Sequence, residues 1–123
     1  MNSIILYVGA ILILFWGVAH LLALKPVVGN FGDLARDNRL ILVMEWVVEG
    51  LTFCFIGVIV ILVTALAGSE QLSTPIVYLS SAVFLLILSI LSLFTGARAK
   101  DIPFKICPVI KTTTAILFIA GSL

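Results

Sequence analysis

The chain predicts an all-α integral membrane protein, a four-helix transmembrane bundle of up-down topology, and three observations predict it. Apolar residues make up 63% of the sequence and charged residues 11%, with a mean hydropathy of +1.34. Soluble domains lie near one half and one quarter. The apolar residues also fall in four blocks, each able to cross a hydrocarbon core that needs about 20 helical residues. Finally, once the blocks alternate across a bilayer, all seven basic residues gather on one side. Helices are expected over barrel strands because the blocks are long and evenly apolar, and lipid obliges each backbone group to find its partner within the element.

The first span covers about residues 4–24. It lacks a basic start, and its apolar run is too long for a signal core, so it is expected to be a mature helix that is not cleaved. The connection 25–39 is the long one. Pro26, Gly29-Asn30 and Gly32-Asp33 are turn formers, and Asp33 is expected to cap a helix that begins near Leu34 and runs into the second span. Arg36, Asp37, Asn38 and Arg39 make that start amphipathic, suited to lipid headgroups.

The second span covers about residues 40–66, the third 75–96 and the fourth 103–123. Lys25, Arg36 and Arg39 lie at the first connection, and Arg98, Lys100, Lys105 and Lys111 at or beside the third. The second connection carries only Glu70. The positive-inside rule therefore predicts a cytoplasmic first and third connection, with both termini extracytoplasmic, in an inner (plasma) membrane.

The ionisable residues within the spans are the candidates for function, since each costs about 2.5 kcal/mol or more at a bilayer centre. They are His20 in the first span, Glu45 and Glu49 in the second, and Lys111 in the fourth, all in the cytoplasmic half. Asn38, Ile41, Glu45, Glu49, Thr52 and Ile56 follow steps of three and four, so both carboxylates share one stripe. Trp16 stacks one turn before His20, and Thr114 follows Lys111. The expected site is a cavity lined by Trp16, His20, Glu45, Glu49, Thr52, Lys111 and Thr114.

Adjacent carboxylates in a low dielectric exchange protons readily, which suits acid/base chemistry, a proton relay or recognition of a cationic amphiphile. The plainer readings are a snorkelling Lys111, a His20 that only bonds a neighbouring helix, and a structural ion pair. His20 with two carboxylates is a weak metal set that lacks a tight motif.

Tyr7 and Tyr78 read as interfacial belt residues. Trp16 and Trp46 suit belt, packing or pocket walls equally. Ser81, Ser89, Ser92 and Gly96 form one small-residue seam, and Gly50, Cys54 and Gly57 another. Cys54 and Cys107 lie at different depths, beyond a disulfide's reach, and no C-x-x-C occurs. Phosphate-cradling loops, paired haem-ligating histidines and a nucleic-acid stripe are not found in the sequence.

Gly17-Val18-Ala19-His20-Leu21-Leu22, followed by Pro26, resembles the G-x-x-H-hydrophobic segment and proline of the DoxX-like group of small four-helix membrane proteins. The resemblance covers the first quarter of the chain and the span pattern. It implies an accessory role beside a membrane redox enzyme and supplies no catalytic residues; Glu45 and Glu49 lie outside it. The leading expectation is a lipophilic-ligand-binding or accessory subunit with a titratable pocket open to the cytoplasm. Its rivals are a proton-coupled small transporter or oligomeric channel, and an acid/base enzyme acting on a lipid-like substrate. Expected partners are membrane lipid, a small lipophilic ligand, and further copies of the chain or a larger membrane complex, without nucleic acid.

Overall fold

The computed structural model describes residues 1–66 and 73–123, all helix and connecting turn. In order they form α1 (Ser3–Leu22), α2 (Leu24–Asn30), α3 (Arg36–Leu66), α4 (Ser73–Phe94), a 3₁₀ turn (Gly96–Arg98) and α5 (Ile102–Ser122). Four of these helices, α1, α3, α4 and α5, are long and apolar enough to cross a membrane. Glu70 and most of the expected second connection lie outside the described residues.

The helix ends follow local chemistry. Asn2 caps α1 by accepting hydrogen bonds from the amides of Ile4 and Ile5 at 3.1 and 3.3 Å. Only Ala23 separates α1 from α2, and it keeps a right-handed helical conformation. The turn expected at Pro26 is therefore a short helix instead. Pro26 is third in α2, where its missing N–H belongs to the first turn and has no intrahelical acceptor to lose. Gly32, at φ +68°, supplies the left-handed residue that turns the chain after α2. The next helix begins at Arg36, two residues beyond the expected Leu34, so Asp33 stands outside its first turn.

Small residues set the packing. A Cβ on Gly17 would fall 2.8 Å from Cys54 Sγ and 2.9 Å from Gly50 O, and one on Gly57 would fall 2.8 Å from Ala10 O. The α1 and α3 backbones thus touch along the expected Gly50-Cys54-Gly57 seam. Residues 10, 17 and 21 of α1 meet 57, 54 and 50 of α3. Leu6 and Gly9 of α1 meet Gly121 and Phe118 of α5. The serine seam of α4 faces α5: Ser89 Oγ donates to Pro108 O at 2.9 Å and lies 2.8 Å from Thr112 Oγ1.

Of these long neighbours, α3 and α4 touch least. They are bridged near the chain's second connection, where Tyr78 Oη lies 2.9 Å from Thr64 Oγ1. Tyr78, expected in an interfacial belt, is instead fully buried in the core with Phe53, Val60 and Phe118. Its hydroxyl has a partner inside the bundle, so water is not needed to satisfy it.

The outer surface is apolar: Ile4, Phe15, Leu22 and Leu66 are each more than 70% exposed. Lys111, Thr114 and His20 are buried inside. Apolar residues outside and polar residues within are the distribution expected of a chain solvated by lipid.

Candidate functional site

Three helices deliver ionisable groups to one point. His20 lies in the last turn of α1, Glu49 faces it from α3, and Lys111 reaches in from α5. The Lys111 Nζ donates to Glu49 Oε1 at 2.6 Å and to Ser92 Oγ of α4 at 2.6 Å. His20 Nε2 lies 3.5 Å from Glu49 Oε2, within ion-pair reach but without hydrogen-bond geometry. The ammonium also stands 4.9 Å from the Phe53 ring centroid, over its electron-rich face. One carboxylate therefore joins two cationic or ionisable partners from different helices.

Aromatic rings hold this cluster. Trp46 stacks on His20 with centroids 3.9 Å apart and planes 10° from parallel, while Phe53 meets the imidazole edge-on at 5.7 Å. Trp46 Nε1 donates to His20 O at 2.7 Å. That carbonyl lies in the last turn of α1, where intrahelical donors run out, so the indole both caps the helix and aligns the imidazole. Phe104 of α5 meets Trp46 edge-on at 5.7 Å.

A cleft of about 630 Å³ opens beside the cluster, lined by Trp16, His20, Trp46, Glu49, Phe104 and Cys107, with Asn30 and Asp101 also on its walls. This volume lies within the range of small-molecule sites. A second cleft of about 370 Å³ lies between α3 and α4, lined by Glu45, Glu49, Thr52, Ser92 and Lys111 with Phe84 and Leu88.

The single cavity expected from the sequence is thus two. Trp16 and His20 line the larger, Glu45, Thr52 and Lys111 the smaller, and Glu49 both. Thr114 lines neither: it is fully buried, and its Oγ1 has no hydrogen-bond partner. Glu45 shares Glu49's stripe but is exposed, on the wall of the cleft between α3 and α4. Thr52 turns its hydroxyl back onto Val48 O at 2.7 Å. Among the described residues no group of three or more His, Cys, Asp or Glu side chains is close enough to hold a metal ion.

Ser92, Phe53 and Phe104 complete the site without having been selected as members of it. Ser92 carried a signal, since its place in a small-residue seam requires a helix close by. The phenylalanines carried none, because one apolar ring in a span looks like any other.

Two buried donors or acceptors at the cleft have no hydrogen-bond partner, Trp16 Nε1 and His20 Nε2. Unmet polar atoms of this kind are costly in a core and are commonly matched by water or ligand. No family model, curated protein or solved structure matches the chain.

Proposed function

We propose that the protein binds a lipophilic amphiphile at the cytoplasmic end of a four-span bundle. The observation that carries this reading is the His20–Glu49–Lys111 cluster opening onto an aromatic cleft of about 630 Å³. Polar groups fix one end of a ligand, while apolar and aromatic walls take the rest.

In this reading the spans run up and down in an inner membrane, with both termini extracytoplasmic and the basic connections cytoplasmic. Helix α3, with 31 residues, is about 46 Å long at about 1.5 Å per residue, so it overhangs a core of about 30 Å. The overhang, α2 and the 3₁₀ turn then frame the cleft at headgroup level. The accessory-subunit role implied by the DoxX-like segment fits a binding protein that presents its ligand to a larger complex.

Native mass spectrometry of the chain in lipid nanodiscs tests the proposal. A retained amphiphile is expected, and it should be lost when Ala19→Trp fills the cleft or Glu49→Gln removes the shared carboxylate while the helices persist. Retention unchanged in both variants would reject the reading.

A proton relay is the second reading, favoured by the row of ionisable groups in which Glu49 lies 2.6 Å from Lys111 and 3.5 Å from His20. Proton flux in proteoliposomes, abolished by Glu49→Gln, is its signature.

A further inference from the structure

The two clefts are neighbours. Trp46, Glu49, Ser92 and Thr95 line both, so the smaller cleft, in the gap between α3 and α4, adjoins the larger one. We infer that these adjoining clefts are a binding site for a lipophilic monovalent cation, an alkylammonium amphiphile, admitted from the bilayer between α3 and α4. The inference rests on the amphiphile-binding reading and specifies the charge of the head.

Charge is distributed unevenly over the lining. The chain has seven basic and six acidic residues. Of the basic residues only Lys111 lines either cleft, whereas Glu45, Glu49 and Asp101 all do. Lys111 is spent on Glu49 and Ser92 at 2.6 Å each. Glu45 and Asp101 have no ion pair among the described residues. An anionic head would meet an unneutralised carboxylate in either cleft, Asp101 in the larger or Glu45 in the smaller, and no free cation; a cationic head neutralises the one it meets.

The walls agree with the charge. Trp16, Trp46 and Phe104 line the larger cleft, and aromatic rings beside carboxylates are the setting in which substituted ammonium groups are recognised. The protein already uses this chemistry once, with the Lys111 ammonium over Phe53. His20 is 8% exposed, lines the cleft and has no hydrogen-bond partner at Nε2. The lone pair of a neutral imidazole favours a cationic head, accepting from an N–H where the head carries one and facing the polarised N-methyl groups where it is quaternary. Trp16 Nε1–H, itself a donor, takes no part. Leu88, Leu91 and Phe84 line the gap with apolar surface suited to an alkyl tail.

The chain's two tryptophans, Trp16 and Trp46, both line the larger cleft, so their fluorescence reports its occupancy. The test is quenching in zwitterionic nanodiscs by 12-bromododecyltrimethylammonium and by 12-bromododecanol, compared at equal membrane concentrations. Saturable quenching is expected from both, with half-quenching by the cation at a concentration at least about tenfold lower. In Glu45→Gln/Asp101→Asn that ratio falls toward one. Both residues are exposed, so these changes leave the core intact; Glu45→Gln alone should lower the ratio part of the way.

Equal half-quenching by cation and alcohol in the unaltered protein would overturn the cationic assignment while leaving amphiphile binding in place. So would a ratio that survives the double substitution. Saturation by neither probe would overturn both.

Discussion

Glu49 of α3 and Lys111 of α5, 62 positions apart in the chain, meet at 2.6 Å with unequal burial: the lysine side chain is 1% exposed and the carboxylate 34%. The pair is therefore anchored at its cationic end and open at its anionic end. Removing the carboxylate strands an ammonium in the core. Removing the ammonium leaves a carboxylate that turns toward the cleft.

Glu49→Gln should accordingly destabilise the fold more than Lys111→Met. About 2–3 kcal/mol is expected for Glu49→Gln, below the full cost of breaking a buried pair because the carboxylate is partly open. The double variant should recover part of that loss. Unfolding titrations in mixed micelles, arranged as a double-mutant cycle, check the order; equal losses in the single variants would contradict it.

Gly17→Ala should separate α1 from α3. Its new Cβ would lie 2.9 Å from both the Cys54 amide nitrogen and Gly50 O, which are backbone atoms that cannot step aside alone. A loss of about 1–3 kcal/mol is expected from such overpacking. Gly29→Ala is the control: nothing lies within 4 Å of its added methyl, and the change should be neutral or slightly stabilising. Thermal melts of the two variants side by side provide the comparison.

Trp46→Phe retains a ring but loses the indole N–H that bonds His20 O at 2.7 Å. A cost of about 1–2 kcal/mol is expected, since the carbonyl is left without its donor. Hydrogen exchange should quicken around Ala19 to Ala23, at the α1–α2 junction, and stay unchanged in α4. Uniform protection along α1 would count against the capping role.

Tyr78→Phe is expected to be mild. Thr64 Oγ1 already donates to Val60 O at 2.6 Å, so the tyrosine hydroxyl is the donor in the 2.9 Å contact between them. Removing it leaves Thr64 with a partner and costs about 1 kcal/mol. A loss of several kcal/mol in the same melting assay would mean that this bridge holds α3 to α4.

Cys107, 8% exposed, lines the larger cleft, whereas Cys54, the more exposed of the two, packs against Gly17 between α1 and α3 and lines neither cleft. Labelling of Cys107 by a lipophilic maleimide, unlike that of Cys54, should therefore respond to what occupies the cleft. Bound dodecyltrimethylammonium at about ten times its Kd should slow that labelling by about tenfold. Mass mapping of the labelled peptide identifies the site; an unprotected Cys107 would place the probe elsewhere.

Four long helices were legible in the sequence because hydrocarbon imposes a length and a polarity that composition alone reports. The grouping of His20, Glu49 and Lys111 was legible for a related reason: charge is rare in spans, and alternating helices bring these three to one level. The Gly50-Cys54-Gly57 seam was legible as a place of close approach, though its partner, Gly17 with Ala10, was not.

Linear periodicity could not foresee where neighbours lie. Glu45 and Glu49 are equivalent on the helical stripe, yet Glu49 meets His20 of α1 and Lys111 of α5, whereas Glu45 is left exposed at the cleft between α3 and α4. Tyr78 looks interfacial by position, and only the packing of α4 against its neighbours buries it beside Thr64. The separation of α3 from α4, which makes two clefts out of one expected cavity, likewise has no local signature. Spacing along a chain determines which residues share a face and a depth. Which of them meet is decided by the lengths and approach distances of other helices, because a contact belongs to two surfaces and a sequence pattern describes only one.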